Sequence, residues 1–299
     1  MEKTFCIVYV CLTLCAKMSQ QIIHDDEMVP DYTNDHVLGL DPNFNETDEG
    51  IIDDSSLEAN FTYYNSLLNE TWLNLASVMD LFTQREYDNS SAVQALTAAF
   101  RYTLKQQKKL KNPPAYLKKP FITIEGMDVD KRNMLAGRLA QHINGHVVPN
   151  PPDTFEVVLK HLPDNSTTLI NGYYVLNTYI AALHARYAIQ TAPAVIPGYW
   201  LGRSALTVAT HFVDKPPPFK SKFWEWPRDL VKPDVIFYIT DRQFMKQYED
   251  RKLVRRYLHI FDNWADPKCI PLVNCESIDS MIEEIEPYLQ ELLVNRLTM

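Results

Sequence analysis

The run from Phe121 to Ile124 is short, β-branched and aromatic, and the chain breaks at Gly126 just beyond it. From Arg132 onward, apolar residues recur at helical spacing at Leu135, Leu139 and Ile143. The pattern predicts strand, loop, helix. The alternation continues with a short strand at 146–149, a brief helix at 153–161, a long helix at 172–190 and a strand at 194–196. A helix at 201–212, strands at 234–240 and 269–274, and a final helix at 277–297 follow. Strands alternating with helices predict a five-stranded parallel sheet with helices on both faces, an α/β domain over 118–299.

Upstream, residues 55–117 read as a helical N-terminal region. Ser55-Ser56-Leu57-Glu58 has capping-box spacing and opens a helix predicted to reach about Phe82. Ser91-Ala92-Val93-Gln94 opens a second, predicted to run to Lys111, with Lys105, Lys108, Lys109 and Lys111 near its C-terminal end, where cations complement the helix dipole. Asn112-Pro113-Pro114 stops it.

Composition changes the picture at the N-terminus. A 299-residue chain with 46% apolar residues can bury a substantial core, and a net charge of −9 argues against nucleic acid as a general partner. Residues 1–18 carry Lys3, an apolar run and the small Ala16, the layout of a secretory signal peptide. That run is too short for an ordinary membrane span, so no stable span is expected after cleavage. Residues 19–54 are acidic and lack periodicity, which predicts disorder. The first arginine is Arg85, whereas a mitochondrial presequence is arginine-rich and acid-poor. Secretion or the secretory lumen is the expected location, with mitochondrial import as the alternative. Sequons at Asn45, Asn60, Asn69, Asn89 and Asn165 point to the secretory route. Asn60 and Asn69 would lie on opposite faces of a single helix, so one is expected to be empty or the helix interrupted. After signal cleavage Cys269 and Cys275 remain. Extended chain between them puts their Cα atoms about 20 Å apart, too far for a disulfide, and two free, mostly buried thiols are expected.

The candidate chemistry sits in the loop after the first strand. Such a loop aims backbone N–H groups and a helix N-terminus at one point, which suits a phosphate. Overlaying G-x-x-x-x-G-K-[ST] from Gly126 puts Lys131 at the second glycine, Arg132 at the lysine and Asn133 at the hydroxyl position. Only the first position fits. A side chain in place of the second glycine costs about 1–2 kcal/mol where φ is positive. Arginine offers a planar fork in place of a compact ammonium, and an amide is a weaker magnesium ligand than the usual hydroxyl site.

Four ordered stretches carry a family resemblance over about 118–295. Phe121-Ile122-Thr123-Ile124-Glu125-Gly126-Met127-Asp128 is similar to the F-I-x-x-E-G-x-D opening of the thymidylate kinase-like P-loop nucleotide kinases, and most so to their mitochondrial UMP/CMP kinase branch. The run from Tyr173 to Ala181 resembles that family's substrate-side helix. Ala194-Val195-Ile196-Pro197-Gly198-Tyr199-Trp200 falls where the family writes an apolar strand ending in D-R-Y-W. Trp226-Pro227-Arg228-Asp229-Leu230-Val231-Lys232-Pro233-Asp234 matches W-P-x-D-L-x-K-P-D. The resemblance implies the P-loop fold, ATP and magnesium as cofactors of an active member, a homodimer, and a substrate side at Glu125, Asp128, Tyr173, Asn177 and Tyr199. It also shows losses. The family's catalytic acid and its arginine are Pro197 and Gly198 here, and the turn 168–172 lacks the branch's arginines. One missing charge-stabilising group costs about 10²–10³ in rate, so losses at several positions multiply.

The expectation is a secreted, glycosylated pseudoenzyme that binds a protein partner or a nucleotide, with no catalytic residue and neither cofactor nor metal required. His142, His161, His184 and His211 have no metal-ligand spacing. The alternatives are a working nucleoside monophosphate kinase that makes diphosphates of dTMP, UMP or CMP from ATP, and a purely structural secreted protein whose old pocket is filled by side chains such as Arg132 and Trp200.

Overall fold

The structure is a computed structural model that describes residues 74–87, 89–107, 119–152, 155–162, 167–212, 225–241 and 251–297. The signal-peptide and acidic stretches, the helix start at 55, the lysines at 108, 109 and 111, and the sequons Asn45, Asn60, Asn69 and Asn165 lie outside the described residues.

Five parallel strands form one sheet in the order β2-β3-β1-β4-β5: β1 (Phe121–Glu125), β2 (His146–Val147), β3 (Ala194–Pro197), β4 (Val235–Ile239) and β5 (Cys269–Leu272). This is the predicted five-stranded α/β architecture. The three central strands are buried along their whole length, which is why they read as largely apolar runs, broken in β1 only by Thr123 and Glu125. Ile122 pairs with Val195 on one side and Val235 on the other, so β1 sits at the centre and delivers Glu125 to the sheet's carboxyl edge.

Period-2 alternation divides the core. Ile122, Ile124, Val195, Phe237 and Ile239 pack on the helices from Val129 to His142 and from Ile278 to Leu297. Phe121, Ile196, Ile236 and Tyr238 pack on the helices that cover the other face. In chain order the helices are α1 (Leu75–Phe82), α2 (Ser91–Gln107), α3 (Val129–His142), α4 (Glu156–Lys160), α5 (Thr167–Ala188), α6 (Trp200–His211), α7 (Arg251–Asp262) and α8 (Ile278–Leu297).

Boundaries moved for local reasons. α3 begins ahead of its periodic apolar residues because Asp128 caps it, accepting from Lys131 N at 3.0 Å. β5 stops at Leu272, short of the predicted 274, because the N–H groups of Val273 and Asn274 bond the Glu284 carboxylate at 3.0–3.1 Å and leave the ladder. Cys269 and Cys275 are free thiols, half-buried where mostly buried ones were expected.

The N-terminal helices belong to the domain core. Val78, Leu81 and Phe82 of α1 and Val93, Leu96 and Phe100 of α2 are buried in the same cluster as Leu169, Tyr173 and Leu176 of α5. Asp229 ties the arrangement together, accepting from Leu75 N at 2.9 Å and from the Tyr179 hydroxyl at 2.8 Å.

Candidate functional site

A parallel sheet opens its ligand crevice at the carboxyl ends of its strands. Here β1 and β3 end side by side, and the Gly126 loop, the Pro197-Gly198 turn and the first turn of α6 meet. Two glycines turn the chain with positive φ, Gly126 at +153° and Gly198 at +72°.

The centre of this meeting point is Arg132. Its Nη1 donates to the Gly126 carbonyl at 2.8 Å, and its guanidinium lies against the Cα of Gly198, where a Cβ would come within 2.9 Å of Cζ. The side chain at the loop's lysine position has turned into the site. Its Nε is buried without a hydrogen-bond partner. The Lys131 ammonium pairs with Asp241 beyond the end of β4. The helix N-terminus that would face a phosphate is answered from within, since the Asp128 carboxylate accepts the Lys131 N–H. Asn133 is an exposed position of α3. Beside the loop, Met127, Asp128, Ile239, Asp241, Val254, Tyr257 and Leu258 line a small recess of about 10 Å³.

Glu125 lies beneath this plug, fully buried. Its Oε1 accepts from Tyr199 N at 2.8 Å, while Oε2 closes no hydrogen bond and lies where a side chain on Gly202 would stand, 2.2 Å from a Cβ there. Burial pushes its pKa up to about 7, against the opposing pull of the Arg132 charge and the N–H groups of Tyr199 and Gly202. Burial likewise raises the pKa of Tyr257, whose ring closes the site from α7.

The other substrate-side residues lie in the core. The Tyr173 hydroxyl donates to Phe155 O at 2.7 Å, Asn177 Nδ2 donates back to Tyr173 O at 2.9 Å, and the Tyr199 hydroxyl donates to Val231 O at 2.9 Å. Tyr173, Asn177 and Tyr199 are all buried, and Asn177 Oδ1 is buried without a hydrogen-bond partner. Pro197 closes β3, paired with Ile124, and brings no charge to the strand end. Of the arginines of α7, Arg255 is exposed and Arg256 Nε donates to Ala209 O at 2.7 Å on α6. Trp200 is buried between Trp226 and Trp264, with ring centroids 5.1 and 5.9 Å away. Among the described residues no group of three metal-ligating side chains comes together.

Sequence reasoning passed over Arg203. Its Nη2 donates to Asn171 Oδ1 at 2.9 Å and its guanidinium lies 4.1 Å over the Tyr174 ring. The turn that reads as stripped of arginines thus receives one from α6. The one available signal was an arginine one turn after Tyr199-Trp200.

Fold and site together define an α/β domain with a five-stranded parallel sheet, in which the Arg132 side chain bonds the glycine loop that follows β1. In sequence the chain is similar to the human mitochondrial UMP-CMP kinase 2, 25% identical over 122 residues, which is 40% of this chain and 27% of that protein's length. The chain therefore spans about a quarter of the curated relative it matches. That relative is of the same nucleotide-kinase kind that the motifs at 121–128 and 226–234 resemble. Among solved structures it is similar to the thymidylate kinase of Candida albicans, with 15% identity, a TM-score of 0.44, and coverage of 60% of this chain and 94% of that one. No family model matches the chain.

Proposed function

We propose that this chain is a nucleotide-kinase-like pseudoenzyme, secreted and glycosylated, that has lost phosphoryl transfer and acts by binding a partner or a nucleotide. The observation that carries the reading is the position of Arg132. A loop that cradles a polyphosphate presents its N–H groups and cation outward to the ligand. Here the guanidinium bonds the loop's own Gly126 carbonyl. Pro197 and Gly198 supply neither the acid nor the second cation that such a reaction uses, and neutralising charge is most of what phosphoryl transfer asks of a protein. Secretion is supported by the leader-like residues 1–18 and by the sequon at Asn89, which stands exposed in the turn before α2. No helix among the described residues is long and apolar enough to cross a membrane.

The test is a coupled assay for diphosphate formation from ATP-magnesium with dTMP, UMP or CMP, run beside a thermal-shift titration of the same ligands. A bound ligand raises the melting temperature by mass action. The expected result is no product and no shift with ATP-magnesium. Diphosphate formation by the unaltered chain would overturn the reading. Recovery of turnover should need Lys131→Gly, Arg132→Lys, Asn133→Ser, Pro197→Asp and Gly198→Arg together.

A further inference from the structure

We infer that a cleft at the amino edge of the sheet seats an apolar stripe of this chain's own N-terminal segment, made by Leu57, Phe61, Tyr64 and Leu68. The cleft lies at the opposite edge from the Gly126 loop, so the inference stands apart from the loss of phosphoryl transfer.

The cleft measures about 740 Å³ and is lined by Trp226, Pro227 and Leu230 ahead of β4 and by Asn263, Trp264 and Ala265 ahead of β5. What it offers an occupant is mostly carbon. Both indole N–H groups are satisfied internally, Trp226 Nε1 donating to Leu230 O and Trp264 Nε1 to Asp266 O, each at 3.0 Å. Both rings also pack on the buried Trp200, which fixes the walls. The charges of the lining cancel: Arg228 and Lys232 stand with Glu225 and Asp266, and Lys232 Nζ donates to Asp266 Oδ2 at 2.6 Å. Such a lining has little to select a charged ligand with, and it suits apolar side chains.

The chain itself enters beside this cleft. The described residues begin at Asn74, and Leu75 N donates to Asp229 Oδ2 at 2.9 Å, one residue from the lining Arg228. Asn74 is extended, with φ −152°, and its side chain accepts from Ser77 N at 3.0 Å. α1 therefore begins at its own cap, and its axis does not continue into the chain ahead. In that chain Leu57, Phe61, Tyr64 and Leu68 recur at spacings of four, three and four, the anchor pattern of a helix laid in a groove. From Leu68 to Asn74 the backbone can extend about 20 Å, ample for a cleft that starts beside Leu75. A segment tethered this closely meets the cleft at an effective concentration on the order of millimolar, which a free partner would have to exceed.

The experiment is hydrogen exchange read by mass spectrometry on the full-length protein. Wild type is compared with Phe61→Ser/Tyr64→Ser, with Ala265→Arg, which fills the cleft from an exposed position, and with Tyr63→Ser, which lies off the stripe. Circular dichroism confirms that each is folded. In wild type, residues 57–68 should exchange about tenfold more slowly than in a free synthetic peptide of residues 55–73. Ala265→Arg should remove that difference, and Phe61→Ser/Tyr64→Ser should speed exchange at 225–232 and 263–266 by a similar factor, while Tyr63→Ser changes neither. Adding the peptide to Phe61→Ser/Tyr64→Ser should restore slow exchange at the cleft. Unprotected 57–68 in wild type, protection that survives Ala265→Arg, or cleft exchange unmoved by Phe61→Ser/Tyr64→Ser would overturn the inference. So would protection that appears only with a dimer seen by light scattering, which would make a second copy the occupant.

Discussion

Arg132 and Gly198 share one space: a Cβ built on Gly198 would lie 2.9 Å from Arg132 Cζ and 3.1 Å from both Nε and Nη2. The guanidinium missing from the end of β3 is replaced by one that enters from α3, and it enters because position 198 has no side chain. Gly198→Ala should therefore cost more than the roughly 1–2 kcal/mol due to its positive φ alone. In an Arg132→Ala background only the φ cost should remain, giving a coupling of about 0.5–3 kcal/mol in a double-mutant cycle by urea denaturation. An equal cost in both backgrounds would show that the two residues do not compete for the same volume.

Glu125 makes stability depend on pH. Its pKa is about 7 in the folded chain against the model-peptide 4.5. Between those values the folded state holds a proton that the unfolded chain has released, so stability falls as pH rises and levels off above 7. The groups facing the carboxylate are Arg132 from α3, the Tyr199 and Gly202 N–H groups, Tyr257 and Cys269. The shift, 7 − 4.5, corresponds to a loss on the order of 3 kcal/mol across the window. Glu125→Gln should flatten this slope in denaturation curves collected from pH 5 to about 8; an unchanged slope would place the titrating group elsewhere.

The sheet was legible because central strands buried on both faces must be largely apolar, as 121–124 and 235–239 are, and because helices such as 278–297 carry their period in the sequence. The stripped phosphate site was legible as a set of wrong residue types at 131–133 and 197–198. What those residues do instead was not. The direction of Arg132 depends on an empty Cβ position in the turn after β3, and that of Lys131 on Asp241 past the end of β4. Tyr173, Asn177 and Tyr199 look like ligand contacts by pattern but bond to carbonyls of this chain. A polar atom in a sequence does not announce whether its partner is internal.

The N-terminal helices should melt with the domain. Leu96 of α2 is fully buried in the cluster that contains Tyr173 and Leu176 of α5. Leu96→Ala should cost about 2–5 kcal/mol, read as a shift of one cooperative transition monitored by both tryptophan fluorescence and far-ultraviolet circular dichroism. A second transition at lower denaturant would mean that α1 and α2 fold as a separate unit.

Asp128 is predicted to stabilise α3 without guarding a ligand site. Asp128→Ala removes the side chain that accepts the Lys131 N–H and should cost about 0.5–2 kcal/mol. It also removes the negative charge from the helix N-terminus, which in an open loop would improve phosphate affinity. With Arg132 still bonded to Gly126 O, no ATP-dependent thermal shift should appear. A shift in Asp128→Ala that is absent from wild type would show that the carboxylate, and not the guanidinium, closes the loop.

Asn89 offers the most direct check on the compartment. It is exposed in the turn ahead of α2, and Ser91 of its sequon is exposed as well, so a transferase can reach it without unfolding the domain. Expression of the full chain in a eukaryotic secretory host should give medium-borne protein whose mass falls on glycosidase treatment. Asn89→Gln should remove one of those mass steps while changing stability by no more than about 0.5 kcal/mol, since the side chain lies at the surface away from any packed feature. Glycan-free protein retained inside the cell would remove the support for secretion and favour the mitochondrial alternative.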